Sequence, residues 1–373
     1  MDMAFQKCDT QRPGADIRQE IARGGPLTFA RFMELALYAP DCGYYERPRQ
    51  IGRRGDYFTS VSVGPVFGEL LACQFAQWLE EIAPPADGPW QLVEAGAHDG
   101  QLALDVLRWL RARQPGVFAR LDYRIIEPSP GRRAWQERKL SNEFTNVTWA
   151  RDFGGRGSRP VQGVIFCNEL LDAMPVHRLF WEAAGKQWRE WRVNWSGEGF
   201  VWQKGHLSHE AAALLPRLPA GVEAVLPDGH LIEFSPAAIQ WWSRAAASLE
   251  RGKLLALDYG WDGQEWLDPA RGGGSLRAYA GHRLAADILG HPGGQDLTAH
   301  VNFFLLREAG EAAGLGTEGV LRQSKFLTEI FRRGLMQKAG FDAWTFAQIR
   351  QFQTLTHPEH LGHRFRALIQ SRR

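Results

Sequence analysis

The chain has 373 residues, 44% hydrophobic and 23% charged, an ordinary composition for a packed globular protein, and its length suits one large domain or a core with additions. A formal net charge of +2 argues against a duplex-nucleic-acid binder, which shows a concentrated basic face. No apolar run approaches the roughly 20 residues that span a bilayer. The four cysteines, at 8, 42, 73 and 167, form no Cys-x-x-Cys pair and fit a reducing compartment. Since the opening MDMAFQKCDTQRPG lacks a secretory apolar segment, a cytoplasmic location is expected.

In chain order, residues 16–38 predict two helices separated by Gly24-Gly25-Pro26, the second capped by Thr28. Residues 64–82 carry apolar residues at helical spacing, and the prolines and glycines of 84–89 mark a boundary. Alternation follows: strand 90–96, helix 102–113, strand 121–129, helix 131–140, then short apolar strands within 146–153 and 163–175. That is the pattern of an open, doubly wound α/β sheet with its ligand edge at the strand C-termini. Residues 177–201 read as an inserted β-hairpin, 232–249 as a helix capped by Ser235, 252–260 as a further central strand, and 268–299 as a glycine-rich loop. Helices are expected at 301–315 and 324–336. Three parts follow: an N-terminal helical segment (1–85) over the active site, a core (86–260) with an insertion at about 177–232, and a C-terminal part (261–373) completing the core and the substrate side.

The chemistry-bearing residues fall at the predicted strand ends. The turn from Glu94 through Gly96 and His98 to Gly100 follows a strand and opens a helix, so the backbone can approach a ligand closely. It is not a GxGxxG fingerprint, and alone it equally describes a plain strand–helix turn. The second strand ends in Glu127-Pro128, and the third in Asp152-Phe153. An acid can accept both ribose hydroxyls, another the adenine amino group, and the phenyl ring can stack on the base. Three acids suit a neutral sugar and a sulfonium better than a pyrophosphate, which favours S-adenosylmethionine over NAD. The fourth strand runs into Asn168, Glu169 and Asp172, where carboxylates can hold a guanidinium nucleophile or, alternatively, cap a turn and form an ion pair. His357, His360 and His363 share one spacing, but with no Cys or paired acid nearby no metal is assigned.

Longer runs carry a resemblance. Gly25-Pro26-Leu27-Thr28-Phe29, Gly55-Asp56-Tyr57-Phe58-Thr59-Ser60, Asn168-Glu169-Leu170-Leu171-Asp172-Ala173-Met174-Pro175-Val176-His177, Leu276-Arg277-Ala278-Tyr279 and Asp296-Leu297-Thr298-Ala299-His300-Val301 are similar to a methyltransferase family. Its mitochondrial members help assemble respiratory complex I by methylating an arginine of one subunit. The resemblance covers nearly the whole chain. It implies a seven-strand methyltransferase core with added helices, S-adenosylmethionine, and an arginine acceptor on a protein. The implied cofactor residues are Glu94, Gly96, Gly100, Glu127, Asp152 and Asn168, with Asp56, Thr59 and Ser60 closing over the cofactor. His98 and Pro128 join the cofactor set by position. Glu169, Asp172 and His300 are the expected catalytic residues, and Tyr57 and Tyr259 the expected substrate contacts beside Glu169 and Asp172. A homodimer is compatible with the sequence. The family's Gly-Pro-Gly-Arg-Gly is here Gly96-Ala97-His98-Asp99-Gly100, and its Thr-Ser-Pro-Glu is Thr59-Ser60-Val61-Ser62. These departures leave two alternatives open: an assembly or protein-binding factor on an altered scaffold, and a methyltransferase for a small molecule.

Overall fold

The structure is a computed structural model that describes residues 12–47, 59–82, 88–154, 159–281 and 283–373. The chain divides into two compact units. The first comprises residues 1–57, 172–239 and 261–304, and the second 58–171, 240–260 and 305–373. The units interleave along the sequence, because a doubly wound sheet draws neighbouring strands from distant segments.

Seven strands of the second unit form its sheet: β1 (Trp90–Ala95), β2 (Leu121–Ile126), β3 (Val147–Ala150), β4 (Val161–Asn168), β5 (Leu249–Trp261), β6 (Gly316–Arg322) and β7 (Phe365–Arg372). Their order is β3-β2-β1-β4-β5-β7-β6. The first five are mutually parallel, and β7 runs antiparallel to both β5 and β6. This is the doubly wound seven-strand sheet expected. Strands covered on both faces need continuous apolar runs rather than alternation. Val164, Ile165 and Phe166 of β4 and Leu254 to Leu257 of β5 meet that need, all fully buried. The helix Val66–Glu81 buries twelve of its sixteen residues, with Phe75 packed on Phe166 at 4.7 Å between ring centroids. The order in which strands are laid down reverses between β1 and β4, the switch point beyond whose strand C-termini open α/β sheets bind ligands.

In the first unit the predicted hairpin forms between His177–Glu182 and Gln187–Trp195. Phe200–Gly205, Leu231–Phe234 and Leu27–Thr28 extend it into a five-stranded antiparallel sheet. Helices Arg12–Gly24 and Phe29–Tyr38 belong to the same unit, and Thr28 caps the second by accepting the Arg31 N–H at 3.2 Å. Its aromatics reach the sheet, with Phe29 5.1 Å from Trp202 and Phe32 5.5 Å from Phe200.

Three expectations are corrected. The stretch 232–249 is not all helix: Leu231–Phe234 is a strand, and the helix Pro236–Ser248 begins only after Ser235, whose hydroxyl accepts the Ala238 N–H at 3.1 Å. Ile232 and Phe234 fit either period, and pairing with His177–Phe180 decides it. The stretch 268–299 is not all loop, since Arg277–Ala280, Arg283–Leu284 and Asp296–Thr298 pair as a small sheet. Finally, β6 and β7 carry no strand prediction at all.

One tight point in the sheet is testable. Gly163 of β4 has φ 154° and faces Gln91 of β1 across the ladder, where an added Cβ would overlap the Gln91 carbonyl oxygen. Gly163→Ala is expected to destabilise the fold by roughly 3 kcal/mol or more, read as a fall in Tm by calorimetry.

Candidate functional site

The site grows from the C-terminal ends of β1 to β4. Glu94 is buried near the end of β1 and accepts the Tyr123 hydroxyl from β2. Burial pushes its carboxyl up to about 7; the Tyr123 hydrogen bond opposes this and the nearby Asp99 adds to it. The turn that follows holds three left-handed residues, Gly96 (φ 77°), His98 (φ 45°) and Gly100 (φ 83°). His98 therefore holds a left-handed conformation, which histidine adopts more readily than most side chains. Asp99 accepts Lys139 Nζ and the Gln101 N–H. Burial would raise its pKa, but hydrogen bonds from His98 and Lys139 outweigh that and hold it well below the usual carboxylate range. Gly100 begins the helix Gln101–Arg113 with no side-chain cap.

At the end of β2, Glu127 is buried. Its Oε1 accepts the Ser129 N–H at 2.9 Å and Arg132 Nε at 3.0 Å, and its Oε2 accepts Gln136 Nε2 at 3.0 Å. Pro128 beside it is exposed, and Ser129 and Pro130 start the next helix. After β3, Asp152 is exposed and accepts the Gly154 N–H at 2.8 Å, while Phe153 is half-buried against Trp241 at 5.5 Å.

After β4 the backbone turns sharply. Glu169 has φ 49°, and its N–H is held by the Leu257 carbonyl at 2.9 Å. Its Oε1 accepts the Ser60 N–H at 2.9 Å and Asn168 Nδ2 at 3.3 Å. Asn168 Oδ1 is buried with no hydrogen-bond partner among the described residues. Asp258 of β5, fully buried, accepts the Leu171 N–H at 3.0 Å and its own Tyr259 N–H at 2.9 Å. Thr59 and Ser60 are buried: Thr59 Oγ1 accepts the Ser62 N–H at 3.0 Å, and Ser60 donates its hydroxyl to Gln323 at 3.3 Å. Tyr259 is half-buried, edge-on to Phe365 at 5.5 Å.

Thus Glu94, Gly96, His98, Gly100, Glu127, Pro128, Asp152, Phe153, Asn168 and Glu169 all lie at or just past the C-terminal ends of adjacent strands in one unit. Asp172 and His300 lie in the other unit, where the Asp172 carbonyl accepts the Ala299 N–H at 2.9 Å. The His300 ring there packs on Trp261 at 4.2 Å. Asp56 and Tyr57 lie outside the described residues. Sequence reasoning missed Tyr123, Gln136, Trp241 and Asp258. Tyr123 and Asp258 sit inside strands and Gln136 on a helix, where no motif marks them.

The set suits a cationic, hydroxyl-bearing ligand. A cation beside buried Glu94 would stabilise the ionised form that burial disfavours, Glu127 keeps acceptor capacity on Oε2, and Asn168 presents a bare carbonyl oxygen. A family model for S-adenosyl-L-methionine-dependent methyltransferases matches residues 70–321. The chain belongs to that family. It is a methyltransferase with S-adenosylmethionine as its cofactor. A superfamily member from Burkholderia thailandensis bound to S-adenosyl-homocysteine matches with TM-score 0.81 and 31% identity, covering 97% of this chain and 92% of that one. Protein arginine methyltransferase NDUFAF7 of Mus musculus is 29% identical, over 93% of this chain and 81% of its own. Its Drosophila melanogaster homolog is 28% identical, over 94% and 83%.

These relatives are named mitochondrial, which overturns the cytoplasmic expectation for this methyltransferase. A chain with four cysteines and no Cys-x-x-Cys pair fits any reducing compartment, so the cysteines never separated the two. Among the described residues, no helix is long and apolar enough to cross a membrane, and no group of three or more His, Cys, Asp or Glu is placed to hold a metal ion.

The raised pKa of Glu94 has a sign. Its folded value lies above the unfolded 4.5, so its contribution to stability is full below about pH 4.5 and is lost as pH rises through about 7. Glu94→Gln should remove that loss. The difference in unfolding free energy between wild type and variant is expected to change by on the order of 2–3 kcal/mol between pH 4.5 and 8, measured by denaturant titration.

Proposed function

We infer that this methyltransferase acts on the guanidinium of an arginine in a partner protein. The observation that carries the reading is Glu169: a carboxylate at the β4 end, held in a left-handed conformation at φ 49°. Strain of this kind persists where surrounding contacts over-determine it, and it concentrates at functional sites. The names of the NDUFAF7 relatives, as protein arginine methyltransferases, point the same way.

When bound, S-adenosylmethionine supplies a methyl group on a sulfonium. This chain's residues bind and orient. Glu127 takes the ribose hydroxyls, Asp152 the adenine amino group, and Phe153 offers its ring face to the base. Glu94, the Gly96–His98–Gly100 turn and Asn168 hold the methionine portion. Glu169 accepts guanidinium N–H groups, aligns the attacking nitrogen and receives its proton. Asp172 and His300, near each other in the first unit, and Tyr259 are tested one by one by substitution.

Glu169→Gln is expected to lower transfer at least about 100-fold while S-adenosylhomocysteine binding stays within about threefold. The assay follows labelled methyl from S-adenosylmethionine into an extract of the source cells, with mass spectrometry for methylarginine. Unchanged turnover removes Glu169 from the mechanism. Label that appears only in metabolites replaces the protein acceptor with a small molecule. No transfer by protein that still binds the cofactor moves the protein-binding reading to first place.

A further inference from the structure

Gln136 is a glutamine with no motif around it, on the helix Pro130–Leu140, and it is 0% exposed. Its Nε2 donates to the His98 carbonyl at 2.9 Å and to Glu127 Oε2 at 3.0 Å. Its Oε1 accepts Trp149 Nε1 at 3.0 Å. An indole N–H can only donate, so it fixes which end of the amide faces which way. With the oxygen committed to Trp149, both amide hydrogens point at the His98 carbonyl and the Glu127 carboxylate.

Those two acceptors belong to two different anchors. One is the backbone of the left-handed turn after β1, and the other is the acid that ends β2. A side chain sealed from solvent offers no surface to a ligand. It also cannot lose a partner cheaply, because a buried acceptor left without its donor costs the full desolvation of that group. The amide therefore couples the turn to the carboxylate and fixes their spacing.

We propose that Gln136 is a positioning residue for cofactor binding, one that sets the turn at His98 and the carboxylate of Glu127 in register with each other. The proposal rests on the reading of Glu127 as the ribose-binding acid. Other charged groups near this pair are Arg132, which shares Glu127, and Lys139, which holds Asp99. Glu94 titrates nearby, pushed up to about 7 by burial, so each variant is compared with wild type at the same pH.

The test is calorimetric titration of the full chain with S-adenosylhomocysteine. Glu127→Ala and Gln136→Met are each expected to raise Kd at least about tenfold. The double variant should lose much less than the product of the two, since Gln136 acts partly through Glu127. Gln136→Glu keeps the size but sets a second carboxylate against Glu127. Its Kd relative to wild type should be large at pH 8 and fall toward one near pH 5, where the new carboxyl is protonated and donates. A Gln136 that is merely structural would lower Tm and give a ratio that does not move with pH. If Gln136→Met proves unstable, the isosteric Gln136→Glu carries the test. Wild-type binding by both Gln136 variants, with Glu127→Ala weakened, overturns the proposal. Wild-type binding by Glu127→Ala overturns the ribose reading, and the proposal falls with it.

Discussion

Asp258 is a carboxylate with no access to water, and it takes two backbone N–H groups at once, its own successor's and that of Leu171. One residue earlier on the same strand, the Leu257 carbonyl takes the N–H of Glu169. The end of β5 thus grips the turn after β4 at two points, two residues apart. A turn gripped this way cannot relax Glu169 out of its left-handed conformation without leaving a buried carboxylate or carbonyl short of a donor. The direction of the Glu169 side chain follows from this clamp, and so does its bond to the Ser60 N–H. Through that bond the segment from Thr59 to Ser62 is fixed as well.

The turn after β1 holds a non-glycine residue, His98, at a positive φ between two glycines. Beside it Asp99 pairs with Lys139 from the next helix, so the charge in the turn is balanced locally. Shape is what lets a backbone approach a ligand; the charge decides how the approach depends on salt and pH.

Much of this was legible in the sequence, for a physical reason. Parallel strands buried on both faces must be unbroken apolar runs, so WQLVEA, LDYRII and VQGVIFCN announce both the strands and the acids at their ends. The hairpin at 177–195 was legible because its two aromatic arms flank a short turn. What was not legible depends on contacts between distant segments. β6, GTEGVLR, is an edge strand with two glycines and little apolar pattern, and it exists because β7 pairs with it. Gln136 reaches the turn after β1 and the end of β2 from a helix. Asp258 reads as one more residue of a strand until the N–H of Leu171 is seen to arrive. The conformations of His98 and Glu169 are likewise properties of what surrounds them.

The interleaving of the two units carries a consequence for anyone who would cut this protein apart. The chain passes from one unit to the other five times, at 57/58, 171/172, 239/240, 260/261 and 304/305. No contiguous fragment consists of one unit alone. Loss of either piece after a cut between residues 58 and 304, by truncation, gene splitting or a protease nick, therefore removes parts of both. Folding must likewise join segments far apart in sequence before either core can close, which places it among the slower, more cooperative topologies. The chain is an inheritance that evolution can decorate at its loops but cannot easily divide.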